Sequence, residues 1–232
     1  MAGRISYYGG IVKNGLVLNL DAAKRDSYPG TDITWNDISG NGIVGTLTNG
    51  GTGLTYNSAN GGSIAFDGSN DYISLNTSTA YSNTDPHTYC AWIYTTNFGV
   101  SYKWIINNGS SNNGTSLITM NSSGFKVGFF HKGGASYQLS TGTLTLNTWN
   151  FITAVYSGAD SVTFYINGAS AGTTTTAPST WTAVNTSPRI GTWYNGSYPF
   201  QGNISNVQIY NRALSATDIL QNYNATKGRY GL

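Results

Sequence analysis

Nine carboxylate side chains occur in the chain, and every one is an aspartate: Asp21, Asp26, Asp32, Asp37, Asp67, Asp71, Asp85, Asp160 and Asp218. Carboxylates can act as acid, base or nucleophile, or they can ligate hard cations. Glycoside hydrolysis with retention needs two of them about 5–5.5 Å apart, one as nucleophile and one as acid/base. No aspartate pair stands at i, i+2 or i, i+4 along a predicted central strand. Asp67 and Asp71 come nearest, and they flank a turn. For a cation, Asp67, Asn70 and Asp71 form a candidate calcium cluster, and Asp37 with Asn41 a second, because calcium takes oxygens from Asp, Asn and backbone carbonyls. The alternative is that FDGSND is a turn whose Asp and Asn side chains bond their own backbone.

Other chemistries find less to work with. His87 and His131 are the only histidines; neither has metal-ligand spacing to a partner, and both are expected at loops or strand edges. No G-x-S-x-G elbow marks a nucleophile, and no Gly-rich loop follows a strand and opens a helix. Aromatic residues offer a binding chemistry instead. In the segment WYNGSYPF, Tyr194 and Tyr198 are the expected exposed rings, able to stack on a sugar or anchor a protein surface. Trp193 and Phe200 are expected in the core. Tyr102, Trp104 and Trp181 read either way.

These residues must be held by a folded body. Disorder fails as an explanation for so polar a chain, because aromatic residues reach 13% and recur in alternating runs. At 232 residues the length suits one large β domain. The formal net charge of +2 is too small to imply nucleic acid. A single cysteine, Cys90, excludes an intrachain disulfide and reads as a small core hydrophobe. The first residues lack the roughly 7–15-residue apolar core of a secretory signal, and no stretch reaches the length of a membrane span.

Strand periodicity dominates. In GLVLNLD, Leu16, Leu18 and Leu20 alternate onto one face. SIAFDGSNDYISL reads as a hairpin, with Ile64 and Phe66 on the first arm and Tyr72 and Ser74 on the second. Residues 88–95 place Cys90, Trp92 and Tyr94 on one face and Ala91 with Ile93 on the other, the pattern of a central strand. WNFITAVY at 149–156 is likewise apolar on both faces. Residues 116–120 and 125–130 flank a turn at Asn121–Gly124. Asn167-Gly168 is a strong two-residue hairpin signal, and RIGTWY at 189–194 reads as a strand. A helix is expected from Ser215 to about Thr226, opened by a capping-box pattern with Asp218, carrying Ile219, Leu220 and Tyr223 on its apolar face and Gly228 at its C-cap.

Four blocks in order resemble the laminin-G-like, concanavalin A-type jelly rolls. They are SIAFDGSNDYISL, HTYCAWIYT, WNFITAVYSGADSVTFYINGASAGT and the closing FQGNISNVQIYNRALSATDILQNY. The resemblance covers about residues 15–224 and implies an all-β, antiparallel jelly-roll sandwich with a short C-terminal α-helix. It divides the chain into an N-terminal arm or edge strand, 1–14, and a jelly-roll domain, 15–232. Some relatives bind calcium on a face or rim. The glucanases of this superfamily take their carboxylates from an E-x-D-x-x-E strand, which a chain with no Glu cannot supply.

GLVLNLDAAKRDSYPGTDITWNDISGNG and the tail NATKGRYGL are similar to small concanavalin A-like virion proteins of tailed bacteriophages. That resemblance implies a non-enzymatic structural protein, a head decoration or a tail- or fibre-associated protein. Its partners would be other virion proteins, with surface glycans and an oligomer of the chain itself as further associations. Assembly in the host cytoplasm would then need no secretory signal. The alternative is a lectin-like adhesion module that binds carbohydrate, with calcium as its one candidate cofactor.

Overall fold

A computed structural model describes residues 10–48, 53–77, 81–97, 99, 101–109, 114–121, 124–131, 136–175 and 188–232. The N-terminal segment before Gly10 and Trp181 lie outside these residues. The strands of the first half are β1 (Leu16–Asp21), β2 (Thr34–Asn36), β3 (Val44–Thr48), β4 (Thr55–Asn57), β5 (Ser63–Asp67), β6 (Tyr72–Leu75), β7 (His87–Tyr94) and β8 (Tyr102–Gly109). Then come β9 (Gly114–Asn121), β10 (Phe125–His131), β11 (Ser136–Leu139), β12 (Trp149–Tyr156), β13 (Ser161–Ile166), β14 (Ala169–Thr175), β15 (Arg189–Ile190) and β16 (Gln201–Tyr210). Helix α1 (Ala216–Thr226) follows and runs into a 3-10 turn, Lys227–Tyr230.

Two eight-stranded antiparallel sheets form a sandwich. The first runs β14-β13-β12-β7-β16-β5-β4, with β1 also paired to β16; the second runs β11-β10-β9-β8-β15-β6-β3-β2. Between them lies a core that includes Leu18, Leu20, Trp35, Phe66, Tyr89, Ile93, Leu117, Phe129, Phe164 and Ile209. Central strands β7 and β12 are buried on both faces, as their unbroken apolar runs require. The outward residues of β7, Cys90 and Trp92, pack with Phe151, Tyr210, Leu214 and Ile219 beneath α1. Burial pushes the Cys90 thiol up to about 12, so it acts as a hydrophobe.

The helix start is as the sequence implies. Ser215 Oγ accepts from Asp218 N at 3.2 Å, and Asp218 Oδ2 accepts from Ser215 N at 3.0 Å. Arg212 pairs with the same carboxylate at 2.9 Å. The Asn167-Gly168 turn joins β13 to β14 with both residues at positive φ, 52° and 78°. The hairpin of β9 and β10 also forms.

Several sequence expectations are corrected. SIAFDGSNDYISL is not a hairpin: β5 pairs in the first sheet and β6 in the second, so the chain crosses the sandwich at Asp67–Asp71. Ile73 and Leu75, rather than Tyr72 and Ser74, therefore face the core. Leu16 does not share a face with Leu18 and Leu20. A β-bulge between Leu16 and Leu18 turns it toward the helix side. Leu220 is exposed, and the helix does not stop at Gly228; the left-handed glycine is Gly231, after the 3-10 turn. Only Arg189 and Ile190 of RIGTWY are strand. Neither histidine lies at a loop or an exposed edge. His87 opens β7 and stacks on Tyr81 with ring centroids 4.4 Å apart; His131 ends β10, and both are buried.

Candidate functional site

An aromatic cluster covers the outer face of the second sheet. Register places Tyr102 beside Met120, Trp104 beside Ile118, Phe130 beside Ser116 and Tyr137 beside Phe130, all on the side away from the core. A bulge between Trp104 and Ile106 makes this possible: Ile105 and Ile106 both enter the core, while Trp104 points outward. The chain between β15 and β16, residues 191–200, then folds back over this face.

That connection is pinned at both ends. Gly191 N donates to Ile105 O at 3.1 Å, and Phe200 N to Gly191 O at 2.7 Å, which seats the Phe200 ring in the core against Phe66. Gly191 lies at φ +90, where a Cβ would overlap the Phe66 ring, so only glycine fits this crossing. Inside the loop, Trp193 N donates to Ser197 O at 3.0 Å and Gly196 N to Trp193 O at 2.9 Å. Asn195 Oδ1 accepts from Ser197 N at 3.0 Å. Trp104 N donates to Tyr198 O at 3.3 Å, fixing the loop to β8.

The rings form a continuous stack. Trp104 packs against Trp193 at 5.4 Å and against Tyr198 at 5.3 Å, with interplanar angles of 27° and 29°. Tyr102 stacks on Tyr137 at 4.1 Å and meets the Tyr198 ring edge-on at 5.7 Å. Phe130 fills the floor beside Tyr137 and Trp104. Tyr194 sits edge-on to Trp193 at 4.9 Å. Tyr198 is 39% exposed, whereas Trp104 beneath it is 1% exposed. Burial, and then the neighbouring Tyr102 hydroxyl, raises the Tyr137 phenol, so it stays a neutral donor at all ordinary pH.

Two features mark this as more than packing. Tyr198 adopts φ 56°, a left-handed conformation that costs a bulky L-residue about 1–2 kcal/mol and tends to persist at functional sites. Among the described residues, the indole N–H groups of Trp104 and Trp193 are buried without a hydrogen-bond partner, although buried donors are ordinarily satisfied. Of the two sequence-proposed rings, Tyr198 tops the stack and Tyr194 flanks it. Sequence reading placed Trp193 in the core; it belongs to this outer cluster. Phe200 does lie in the core. Tyr137 and Phe130 were not anticipated. Their signal was the alternation of FKVGFFH, whose outward positions are Lys126, Gly128 and Phe130.

The aspartate-rich crossing has a different character. Asp67 and Asn70 are exposed and Asp71 is fully buried. Asp67 Oδ1 accepts from Ser69 N at 2.7 Å, and Asp71 Oδ2 accepts from Asp67 N at 2.8 Å. Asp71 Oδ1 has no hydrogen bond among the described residues, and Gly53 packs directly against it. Burial, together with the Asp67 carboxylate, raises the Asp71 pKa. The second candidate pair is joined: Asp37 Oδ2 accepts from Asn41 N at 3.2 Å, while Asp37 Oδ1 caps Asn19 and Ser39. Among the described residues, no three His, Cys, Asp or Glu side chains converge to hold a metal. No helix among them is long and apolar enough to cross a membrane.

A two-sheet antiparallel jelly roll with a helix clamped on one face and an aromatic array on the other is a lectin-like sandwich. The chain belongs to the concanavalin A-like lectin/glucanases superfamily, whose laminin-G-type family model matches residues 67–220. No curated protein matches it at a comparable level. Among solved structures, it is similar to domain 4 of AbnA, a GH43 extracellular arabinanase from Geobacillus stearothermophilus, in complex with arabinotriose. The TM-score there is 0.69 at 20% identity, over 90% of this chain and 98% of that one.

It is also similar to the binding domain of Paraclostridial Mosquitocidal Protein 1, with a TM-score of 0.66 at 17% identity over 92% of this chain and 52% of that one. The botulinum neurotoxin serotype D ligand-binding domain, in complex with N-acetylneuraminic acid, gives 0.67 at 17% identity over 92% and 51%. The chain thus spans about half the length of these toxin domains. At such identities the likeness is one of fold.

Proposed function

We propose that the chain is a non-catalytic recognition module that holds a saccharide on the outer face of its second sheet. The observation that carries this reading is the Tyr102–Trp104–Trp193–Tyr198 stack, topped by an exposed tyrosine in a strained backbone conformation. Sugar rings present C–H faces to aromatic planes and hydroxyls to polar edges, and tyrosine and tryptophan offer both surfaces. The arabinotriose and N-acetylneuraminic acid complexes of the similarly folded domains support a saccharide as the occupant.

Catalysis by paired carboxylates finds no footing here. The chain has no Glu, and none of the outward positions of β2, β3, β6, β8, β9, β10, β11 and β15 is an aspartate. On a glycan array, the purified chain should bind at least one class of neutral saccharide, and Tyr198→Ala should abolish that signal. An array with no signal overturns the reading.

The setting we propose is the surface of a tailed-phage particle, where the module would dock on capsid or tail proteins, as an oligomer, and present its aromatic face to glycans. The similarity of the GLVLNLD…SGNG region and the NATKGRYGL tail to phage virion proteins supports this. Absence of the chain from the mass spectrum of purified particles would sink it. Calcium at Asp67, Asn70 and Asp71 is a further proposal. As placed, both carboxylates cap turn amides, and Asp71 Oδ1 lies buried beside Gly53. Calcium takes six to eight oxygens, so its binding here would require the turn to open.

A further inference from the structure

A second recessed site lies on the opposite side of the molecule. Outward residues of β1 and β16, the end of α1 and the segment before β1 enclose a cleft of about 230 Å³. Asn19, Asp21 and Gln208 line it, although side chains this polar rarely fill the buried outer face of a sheet. We propose that this cleft binds a small organic carboxylate of monosaccharide size, a uronate in chemical class.

Charge is the first argument. Asp21 is already neutralised: Arg229 Nη1 and Nη2 grip Asp21 Oδ1 and Oδ2 at 2.6 and 2.8 Å, a bidentate pair. Lys13 and Lys24 also line the cleft, and neither has a carboxylate partner among the described residues. Asp37, next to lining residue Ile38, is engaged by the amides of Asn19, Ser39 and Asn41. Among the described residues, the cleft is lined by two lysines with no carboxylate partner, and its one lining carboxylate, Asp21, is paired with Arg229.

The second argument is a buried donor whose direction is fixed. Val12 N donates to Asn222 Oδ1 at 2.8 Å, which sets the Asn222 amide with its NH2 toward Gln208 and Tyr210. Asn222 Nδ2 donates to Gln208 Oε1 at 3.3 Å, and the single Tyr210 hydroxyl proton goes either to Val12 O at 3.1 Å or to that same Gln208 oxygen at 3.3 Å. Gln208 Nε2 must then face the other way, and among the described residues it has no hydrogen-bond partner although the residue is fully buried. A buried N–H left without an acceptor destabilises the fold unless an acceptor arrives.

Its strand partner Asn19 is oriented in the same manner. Asn206 Nδ2 donates to Asn19 Oδ1 at 3.0 Å, which turns the Asn19 NH2 away from Asn206. Two amide donors, two lysines and a cleft edged by Ile11 and Ile38 match a carboxylate on a compact ring with a C–H face. The volume equals that of about eight waters at roughly 30 Å³ each, enough for one sugar acid and too little for a chain of them.

The test is titration of the full chain with sodium glucuronate, read by 15N–1H NMR, with glucose as the uncharged control. Saturable shifts at the Gln208 side-chain amide and around Lys24 and Arg229 are expected, with none from glucose. Lys13→Ala/Lys24→Ala, which changes only exposed side chains, should raise the glucuronate Kd at least fivefold. Tyr198→Ala should leave it unchanged, which separates this cleft from the aromatic face. No shift at 50 mM glucuronate, an equal response to glucose, or indifference to loss of both lysines overturns the proposal.

Discussion

Replacing Tyr198 by alanine and by glycine separates the backbone from the ring. At φ 56° the tyrosine occupies a region that costs an L-residue about 1–2 kcal/mol and glycine almost nothing. Both variants lose the ring and its packing on Trp104 and Tyr102. They differ in that alanine keeps the backbone penalty while glycine drops it. Glycine gives back part of that gain, about 0.4–1 kcal/mol, through its freer unfolded chain. Tyr198→Gly should therefore be the more stable of the two by about 0.5–1 kcal/mol, the reverse of the usual order.

The assay is urea unfolding at pH 7 with equal m-values. With m of about 2–3 kcal/mol/M, the glycine variant's midpoint should lie roughly 0.2–0.5 M above alanine's. Both should lose saccharide affinity alike, by about tenfold or more, since the missing ring is common to them. An alanine variant as stable as the glycine variant would refute the claim that the loop stores strain at Tyr198. Unchanged affinity of either variant for the neutral saccharide selected on the array would refute the claim that its ring does the binding.

Other outcomes follow from the same geometry. Burial lowers the His87 pKa from 6.5 to about 4, so the folded protein favours the neutral ring. Its stabilising effect is complete above pH 6.5 and is lost as pH falls toward 4, by about 3 kcal/mol in total. Urea midpoints between pH 7 and 4 should drop accordingly, and His87→Phe should flatten that drop. The wild-type-minus-variant difference isolates the imidazole from Asp71, whose raised pKa acts with the opposite sign. Gly191→Ala should cost 2 kcal/mol or more, on the order of other core overpacking, because its Cβ meets Phe66 and φ is +90; thermal melting checks it. Calcium at 5 mM should leave the melting temperature unchanged, and a rise abolished by Asp71→Asn would show that the Asp67–Asp71 turn opens to take the ion.

The sequence carried the fold wherever a local rule decided it. Alternation on β7 and β12, the Asn167-Gly168 turn and the Ser215–Asp218 capping box were all legible, because each depends on neighbours within a few residues. The strand pairs of β5 and β6 were not. A strand–turn–strand pattern looks the same whether the chain returns to its own sheet or crosses to the other, and only the buried Asp71 and the two inward-facing arms decide it here. Bulges had the same effect on a smaller scale. One extra residue in β1 sent Leu16 to the helix side, and one in β8 sent Trp104 outward.

The candidate site was half legible. Tyr194 and Tyr198 could be singled out from a turn-rich aromatic segment. Their partners Tyr102, Trp104, Phe130 and Tyr137 come from β8, β10 and β11, and only sheet register brings those strands together. The cleft under Gln208 had no local signal at all. Its donors are set by a relay of side-chain amides running from Val12 to Asn222 to Gln208.

The most direct test of the central claim is a crystal structure of the chain with the saccharide that gives the strongest array signal. The account predicts a sugar ring stacked on Tyr198 or Tyr102 at the outer face of the second sheet. A saccharide seated at the Asp67–Asp71 turn, with the aromatic face bare, would contradict it.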